Sequence, residues 1–167
     1  VNMTNLETFE AYGIRNFTTG GNAKFTNTKV KNLYFPNITN GDNPIYGVAG
    51  YGNSSFQNNL ELEQFLIPNE NITQSLLGSG WISNSPEMNL IDMRSSKQIG
   101  RTTPTRGNVF NGVGSALIPG VGKFHENIVS VAADGGNPDV NMMKLYNKGW
   151  QIQLYNDAGV YVGDFII

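Results

Sequence analysis

The side chains best equipped for chemistry are few in this chain, and they are scattered. Asp134, Asn137, Asp139 and Asn141 fall within "DGGNPDVN". Hard oxygen donors on a glycine-rich turn suit Ca²⁺, so Asp134, Asn137 and Asp139 form a candidate calcium set. The segment is no EF-hand, because Leu145 stands where the twelfth-position Glu would be. The same residue types also make ordinary turns, and both readings stand. No other cofactor is expected.

A second cluster is basic. "RSSKQIGRTTPTR" places Arg94, Lys97, Arg101 and Arg106 in one stretch without an acid. Such a loop can meet an acidic neighbouring subunit or an anionic ligand, or simply be solvated. It has no interleaved aromatics, so it does not read as a groove for single-stranded nucleic acid. We take these four residues as candidate interface positions.

Catalytic arrangements are thin. His125 is the sole histidine, and no G-x-S-x-G elbow accompanies it; a loop-edge or interface role is expected. Glu61 and Glu63 would lie about 7 Å apart on one strand face, within reach of glycosidase geometry, but a solvated face explains them equally. No catalytic residues are expected and the chain reads as non-enzymatic. Trp81, Tyr34, Tyr46, Tyr51 and Tyr155 could form a sugar-stacking platform with Asn partners; core tyrosines would look the same.

Composition frames these residues. The chain has 167 residues and a net charge of −2. Charged residues make up 14%, against roughly 25% in an average domain. Asn, Gly, Thr and Ser fill the gap, which points to turns and strands rather than helices. The acidic balance gives no reason to expect nucleic acid as the main partner. There is no Cys, hence no disulfide or thiolate chemistry. No apolar run is long enough for a membrane span. The sequence starts at Val1 without a Met, which processing or Met removal would both explain. Sequons at Asn2, Asn16, Asn37, Asn53 and Asn71 are close to what an Asn-rich chain holds by chance.

Strand-like stretches recur between turn signals: residues 5–12, 24–35, 45–51, 58–67, 87–93, 108–113 and 126–133. In 58–67, alternation puts Leu60, Leu62 and Leu66 on one face and Glu61, Glu63 and Phe65 on the other. A short helix is expected near 70–77, and 142–146 is ambiguous. Residues 107–124 hold no charge before Lys123 and read as a strand plus an extended packed segment. No internal repeat stands out. The expected fold is a single all-β domain over 1–167: a two-sheet antiparallel sandwich, jelly-roll-like, with eight or nine strands.

The last stretch, "WQIQLYNDAGVYVGDFII", reads as a hairpin around Asn156–Gly159, with Gly159 at positive φ. Pairing Tyr155 with Val160 sets Leu154 opposite Tyr161, Ile152 opposite Gly163 and Trp150 opposite Phe165. Gln151, Gln153 and Tyr155 fall on the other face. Phe165, Ile166 and Ile167 are then all expected to be buried and are taken as interface candidates, Phe165 facing the core with Trp150 and Ile166 facing a neighbouring element or subunit. Together these features suggest a structural assembly subunit of a virion, such as a capsid, vertex or fibre protein, or of an extracellular surface. It would self-associate into a homo-oligomer or shell, alone or with other structural subunits. The alternative is a carbohydrate-binding or adhesin domain.

Overall fold

The computed structural model describes residues 6–10, 27–35, 56, 58–68, 82–95, 110–127 and 140–167. Their strands form one seven-stranded sheet. It comprises β1 (Thr8–Glu10), β2 (Asn32–Tyr34), β3 (Gln64–Leu66), β4 (Leu90–Met93), β5 (Val121–His125), β6 (Gln151–Tyr155) and β7 (Tyr161–Asp164). A helix, α1 (Val140–Tyr146), precedes β6. The strands lie in sequence order. Strands β1 to β6 pair in parallel, and only β7 turns back antiparallel on β6.

This overturns the expected jelly-roll sandwich. Parallel neighbours that follow one another in the chain require each connection to return to the same end of the sheet. The chain thus advances across the sheet one strand at a time, a strand order that solenoids share. Each coil takes roughly 24 to 32 residues, within the range of strand-bearing repeats. Strand-like patches between turn signals occur in both architectures, and short-range alternation does not encode pairing direction.

The register fixes the core. Phe9, Leu33, Phe65, Ile91, Gly122 and Ile152 are successive partners across the sheet. Leu33, Phe65, Ile91 and Ile152 are buried. Phe35, Ile67, Met93 and Phe124, two positions further along their chains, are buried too. Burying a side chain of this size stabilises by about 1.5–3 kcal/mol. Gly122 leaves a gap in the first column. The Phe124 ring fills it, lying 2.4 Å from where a Cβ on Gly122 would sit, and meets Phe110 with centroids 5.9 Å apart.

A repeat absent from the sequence reading appears once the coils are aligned. Phe56, Asn59, Leu62, Phe65 and Ile67 have the same spacing as Ile82, Ser85, Met88, Ile91 and Met93, and all ten are buried. Val30, Leu33 and Phe35 repeat the last three positions. One residue ahead of Asn59 and of Ser85 the chain turns a corner in the left-handed region, at Asn58 (φ 59°) and Asn84 (φ 60°). Asn27 (φ 56°) and Gly112 (φ 67°) take the same corner in the flanking coils. Asn tolerates this conformation better than other non-glycine residues. Asn27, Asn58 and Asn84 therefore have a backbone reason to be Asn. The corners also bond to one another. Asn58 N–H donates to Ser83 O (3.0 Å) and Asn84 N–H to Asn111 O (2.7 Å), while Asn84 Nδ2 donates to Asn58 Oδ1 (2.8 Å).

Asn59 ties two coils together from inside the core. It is fully buried. Its Oδ1 accepts from Thr28 N–H (2.9 Å) and from Thr28 Oγ1 (2.8 Å), and its Nδ2 donates to Phe56 O (2.9 Å).

Helix α1 turns Met142 and Leu145 into the core. It ends where Gly149 (φ 79°) donates to Tyr146 O (2.9 Å) and Trp150 N–H reaches back to Leu145 O (3.2 Å), the glycine-terminated helix stop. Trp150 then lies against Gly114 and Gly120; a Cβ on either would approach its ring to within 2.6 and 2.7 Å. The charge-free stretch before Lys123 thus holds glycines because an indole needs the room. Lys148 donates to Val113 O (2.6 Å) and Gly114 O (3.0 Å), fastening the same segment from its other side.

Other expectations change in detail. Phe65 faces inward and Leu66 outward, while Leu60 is exposed. The alternation across 58–67 fails because only Gln64–Leu66 is strand and the preceding residues turn a corner. Phe110–Val113 is a turn rather than a strand, with Val113 N–H donating to Phe110 O (3.2 Å). Residues 142–146 are helical. The terminal hairpin exists, with Gly159 at φ 71°, but its register differs: Leu154 pairs with Gly163 and Gln153 with Asp164, across a bulge. The bulge takes up one extra residue and shifts the pairing below it. Phe165 is buried, as expected, and donates its N–H to Ile152 O (2.8 Å). Ile166 and Ile167 are exposed, at 80% and 64%, beyond the end of β7. The expected strand at 45–51, the helix near 70–77 and most of 126–133 lie outside the described residues.

The coil-to-coil role of Asn59 is open to direct test. Asn59→Leu keeps the size and removes the hydrogen bonds to Thr28 N–H and Phe56 O, which should cost about 1–3 kcal/mol. Asn59→Ser should cost less, because Ser occupies the matching place at Ser85. Urea unfolding midpoints would measure both; equal losses would show that hydrogen bonding at this position is not what matters.

Candidate functional site

The face of the sheet turned away from the core carries a different set of residues. Glu10, Tyr34, Leu66, Asp92, Lys123, Gln153 and Asp164 follow one another across the strands in register. Next to them, at the β6–β7 end, stand Gln151, Tyr155 and Tyr161. The period-two alternation of 150–155 had already assigned Gln151, Gln153 and Tyr155 to this face.

These side chains form a connected network. Arg94 grips Asp92 with both ends of its guanidinium: Nε donates to Oδ1 (2.9 Å) and Nη2 donates to Oδ2. That hydrogen bond holds the Arg94 guanidinium above its ordinary range, against the opposing effect of burial. The Arg94 carbon lies 4.9 Å over the Tyr155 ring centroid, a cation–π contact. Tyr155 OH donates to Gln153 Oε1 (3.0 Å). Its ring meets Tyr161 edge-on, with centroids 5.9 Å apart. Tyr161 OH donates to Asp164 Oδ1 (2.8 Å), and Gln151 Nε2 to Asp164 Oδ2 (2.9 Å).

His125 sits at the end of β5, level with Tyr155. It is buried, at the edge where β5 gives way to a turn. Its Nδ1 accepts from Asn127 N–H (3.1 Å), so Nε2 carries the proton toward Asp157 Oδ1 (3.1 Å). The pair anchors the β6–β7 loop to β5.

The sequence-derived candidates are dispersed. Arg94 belongs to the network, but its charge is committed to Asp92, two residues upstream of it. Lys97, Arg101 and Arg106 lie outside the described residues, as do Asp134, Asn137, Asp139, the five sequons, Trp81, Tyr46 and Tyr51. Tyr34 and Tyr155 share the outer face, separated by intervening strands. Glu61 lies off any strand and faces Lys29 at 3.8 Å; the carboxylate pair with Glu63 is not a built site. Among the described residues no cluster of His, Asp and Glu is arranged for a metal. None of their helices is long and apolar enough to cross a membrane. The sequence reading missed Tyr161, Asp92 and Asp164, whose role depends on pairing that local pattern does not reveal.

No protein-family model matches this chain, and neither curated proteins nor solved structures offer a match.

The Asp164 carboxylate accepts a hydrogen bond only from the neutral phenol, so it raises the Tyr161 pKa above the ordinary tyrosine range. Difference titration of wild type against Tyr161→Phe should therefore show one phenol ionising late. Asp164→Asn should return it toward the usual range. A late phase that survives Tyr161→Phe would assign it elsewhere.

Proposed function

We propose that this chain is a non-catalytic recognition module: a short solenoid that offers the outer face of its parallel sheet to a partner. The observation that carries this is the polar–aromatic network on that face. Its side chains are held in place by one another, and none of them forms a nucleophile–base pair. The Val30-x-x-Leu33-x-Phe35, Leu62-x-x-Phe65-x-Ile67 and Met88-x-x-Ile91-x-Met93 spacings resemble the strand signature of leucine-rich repeats, in which a curved run of strands forms the binding face. Hydrogen exchange with a panel of oligosaccharides, peptides and nucleic acids tests the reading. A ligand should protect β4 to β7 without being turned over. Protection confined to the corner turns at Asn58 and Asn84, or conversion of any ligand, would overturn it.

A second reading is self-association, the assembly half of the virion or surface-subunit expectation. Its support is the exposure of Val160, Val162, Ile166 and Ile167 around β7. An apolar edge strand is a template for pairing with another chain. The basic interface at Lys97, Arg101 and Arg106 remains part of this proposal. On this reading the wild-type chain is oligomeric by native mass. Val162→Lys together with Ile166→Asp should shift it toward monomer while leaving the circular dichroism spectrum of the folded chain unchanged. A wild-type chain that is already monomeric at high concentration would dismiss self-association through β7.

A further inference from the structure

The outer-face reading can be taken to a ligand class at the β6–β7 end. Tyr161 is half exposed, at 50%, yet its orientation is fixed at two points. Its hydroxyl is bound by Asp164 Oδ1 (2.8 Å), and its ring is buttressed edge-on by Tyr155 at an interplanar angle of 69°. Tyr155 is itself pinned beneath Arg94, so the platform cannot easily swing. Planar hydrogen-bonding groups stand beside it. Asp164 keeps lone pairs beyond those used by Tyr161 and Gln151. Gln151 donates through Nε2, which leaves its Oε1 as an acceptor. Gln153 accepts through Oε1, which leaves its amide N–H groups as donors.

The charges of this patch cancel. Arg94 is neutralised by the two-point grip on Asp92, and Lys123 and Asp164, of opposite sign, stand either side of Gln153 in the same column. A phosphate or an acidic polymer needs several converging cations, and beside the paired Arg94 the described residues of the patch offer Lys123 alone. A cation needs converging carboxylates, and Asp92 and Asp164 are each engaged separately. A pyranose matches what is present. One of its faces is apolar C–H surface that packs on a tyrosine ring, and its rim carries vicinal hydroxyls that pair with carboxylate and amide groups.

From this geometry we infer a binding site for a neutral oligosaccharide, with Tyr161 as the stacking platform and Asp164, Gln151 and Gln153 as the hydroxyl partners. The inference rests on the recognition reading above.

The test uses the whole chain on an array of neutral and acidic oligosaccharides, followed by calorimetry with whichever neutral glycan binds. Tyr161→Ala should weaken binding by roughly tenfold or more, the loss of one aromatic platform. Tyr161→Phe should keep most of the affinity, because the ring remains. Gln151→Ala should weaken binding, and Leu117→Ser, at an exposed position outside the network, should leave it unchanged. Circular dichroism of each variant separates binding loss from unfolding. A folded wild-type chain that binds no neutral glycan overturns the inference, as does a neutral glycan whose affinity is indifferent to Tyr161→Ala. Should only a peptide or an acidic glycan bind, and bind through Tyr161, the glycan assignment fails while the recognition reading stands. A ligand that protects only residues off the outer face removes both.

Discussion

The constraint on which the structure depends is the parallel ladder between consecutive strands. In a hairpin, register can be set by the turn. Here each strand is separated from its neighbour by a whole coil, so register rests on what the strands bury. Sliding a strand by one residue would exchange its inner and outer faces, sending Phe65 into solvent and Gln64 into the core. The stacked inner residues Leu33, Phe65 and Ile91 therefore do two things at once. They remove apolar surface from water, and they set which side chains appear on the outer face. The site at Asp92, Gln153 and Tyr155 is positioned by the core beneath it.

The coil corners supply the second requirement, which is to return the chain to the sheet at the same point each time. Left-handed residues at Asn27, Asn58, Asn84 and Gly112 do this with little strain, and the buried residue after the corner links one coil to the next. In one coil that residue is Asn59, whose side chain bonds to Thr28 and to Phe56 O. In the next it is Ser85, whose carbonyl accepts from Gly114 N–H (3.0 Å). Cross-coil ion pairs such as Lys31–Glu7 at 3.7 Å are exposed, and pairs of that kind contribute little. Cohesion between coils thus comes from the core and from backbone-directed polar groups, which fits a chain poor in charge.

Part of this was legible in the sequence. The low charge and high Asn and Gly content indicated strands and turns, and the strands at 8–10, 32–34, 64–66 and 90–93 fall inside stretches marked by alternation. Gly159, Phe165 and the outward Gln151 and Gln153 were also assigned as found. The global arrangement was hidden for identifiable reasons. Coil lengths vary, so the positions of Asn59 and Ser85 do not recur at a constant period. Glycine replaces the expected apolar residue at Gly122, and the missing volume is supplied by Phe124, two residues later. The bulge beside Leu154 displaced the hairpin register, which is why Tyr161 was placed opposite Leu154 rather than beside Tyr155. Each case is tertiary compensation, in which one residue makes sense only once its neighbour in space is known.

The sequential strand order also bears on how the chain finds its fold. Every pairing in the sheet joins residues about one coil apart or less. Loop-closure entropy grows only slowly with loop length, so each added strand meets a similar entropic barrier, however long the chain already is. The shortest loop belongs to the β6–β7 hairpin, which adjoins the glycine-terminated helix α1. That end can order on local contacts alone and then serve as a template on which the preceding strands are laid down one by one. In a sandwich of the same length, strands distant in the chain would have to meet before either sheet could form. Here each strand is laid beside the one that precedes or follows it in the chain.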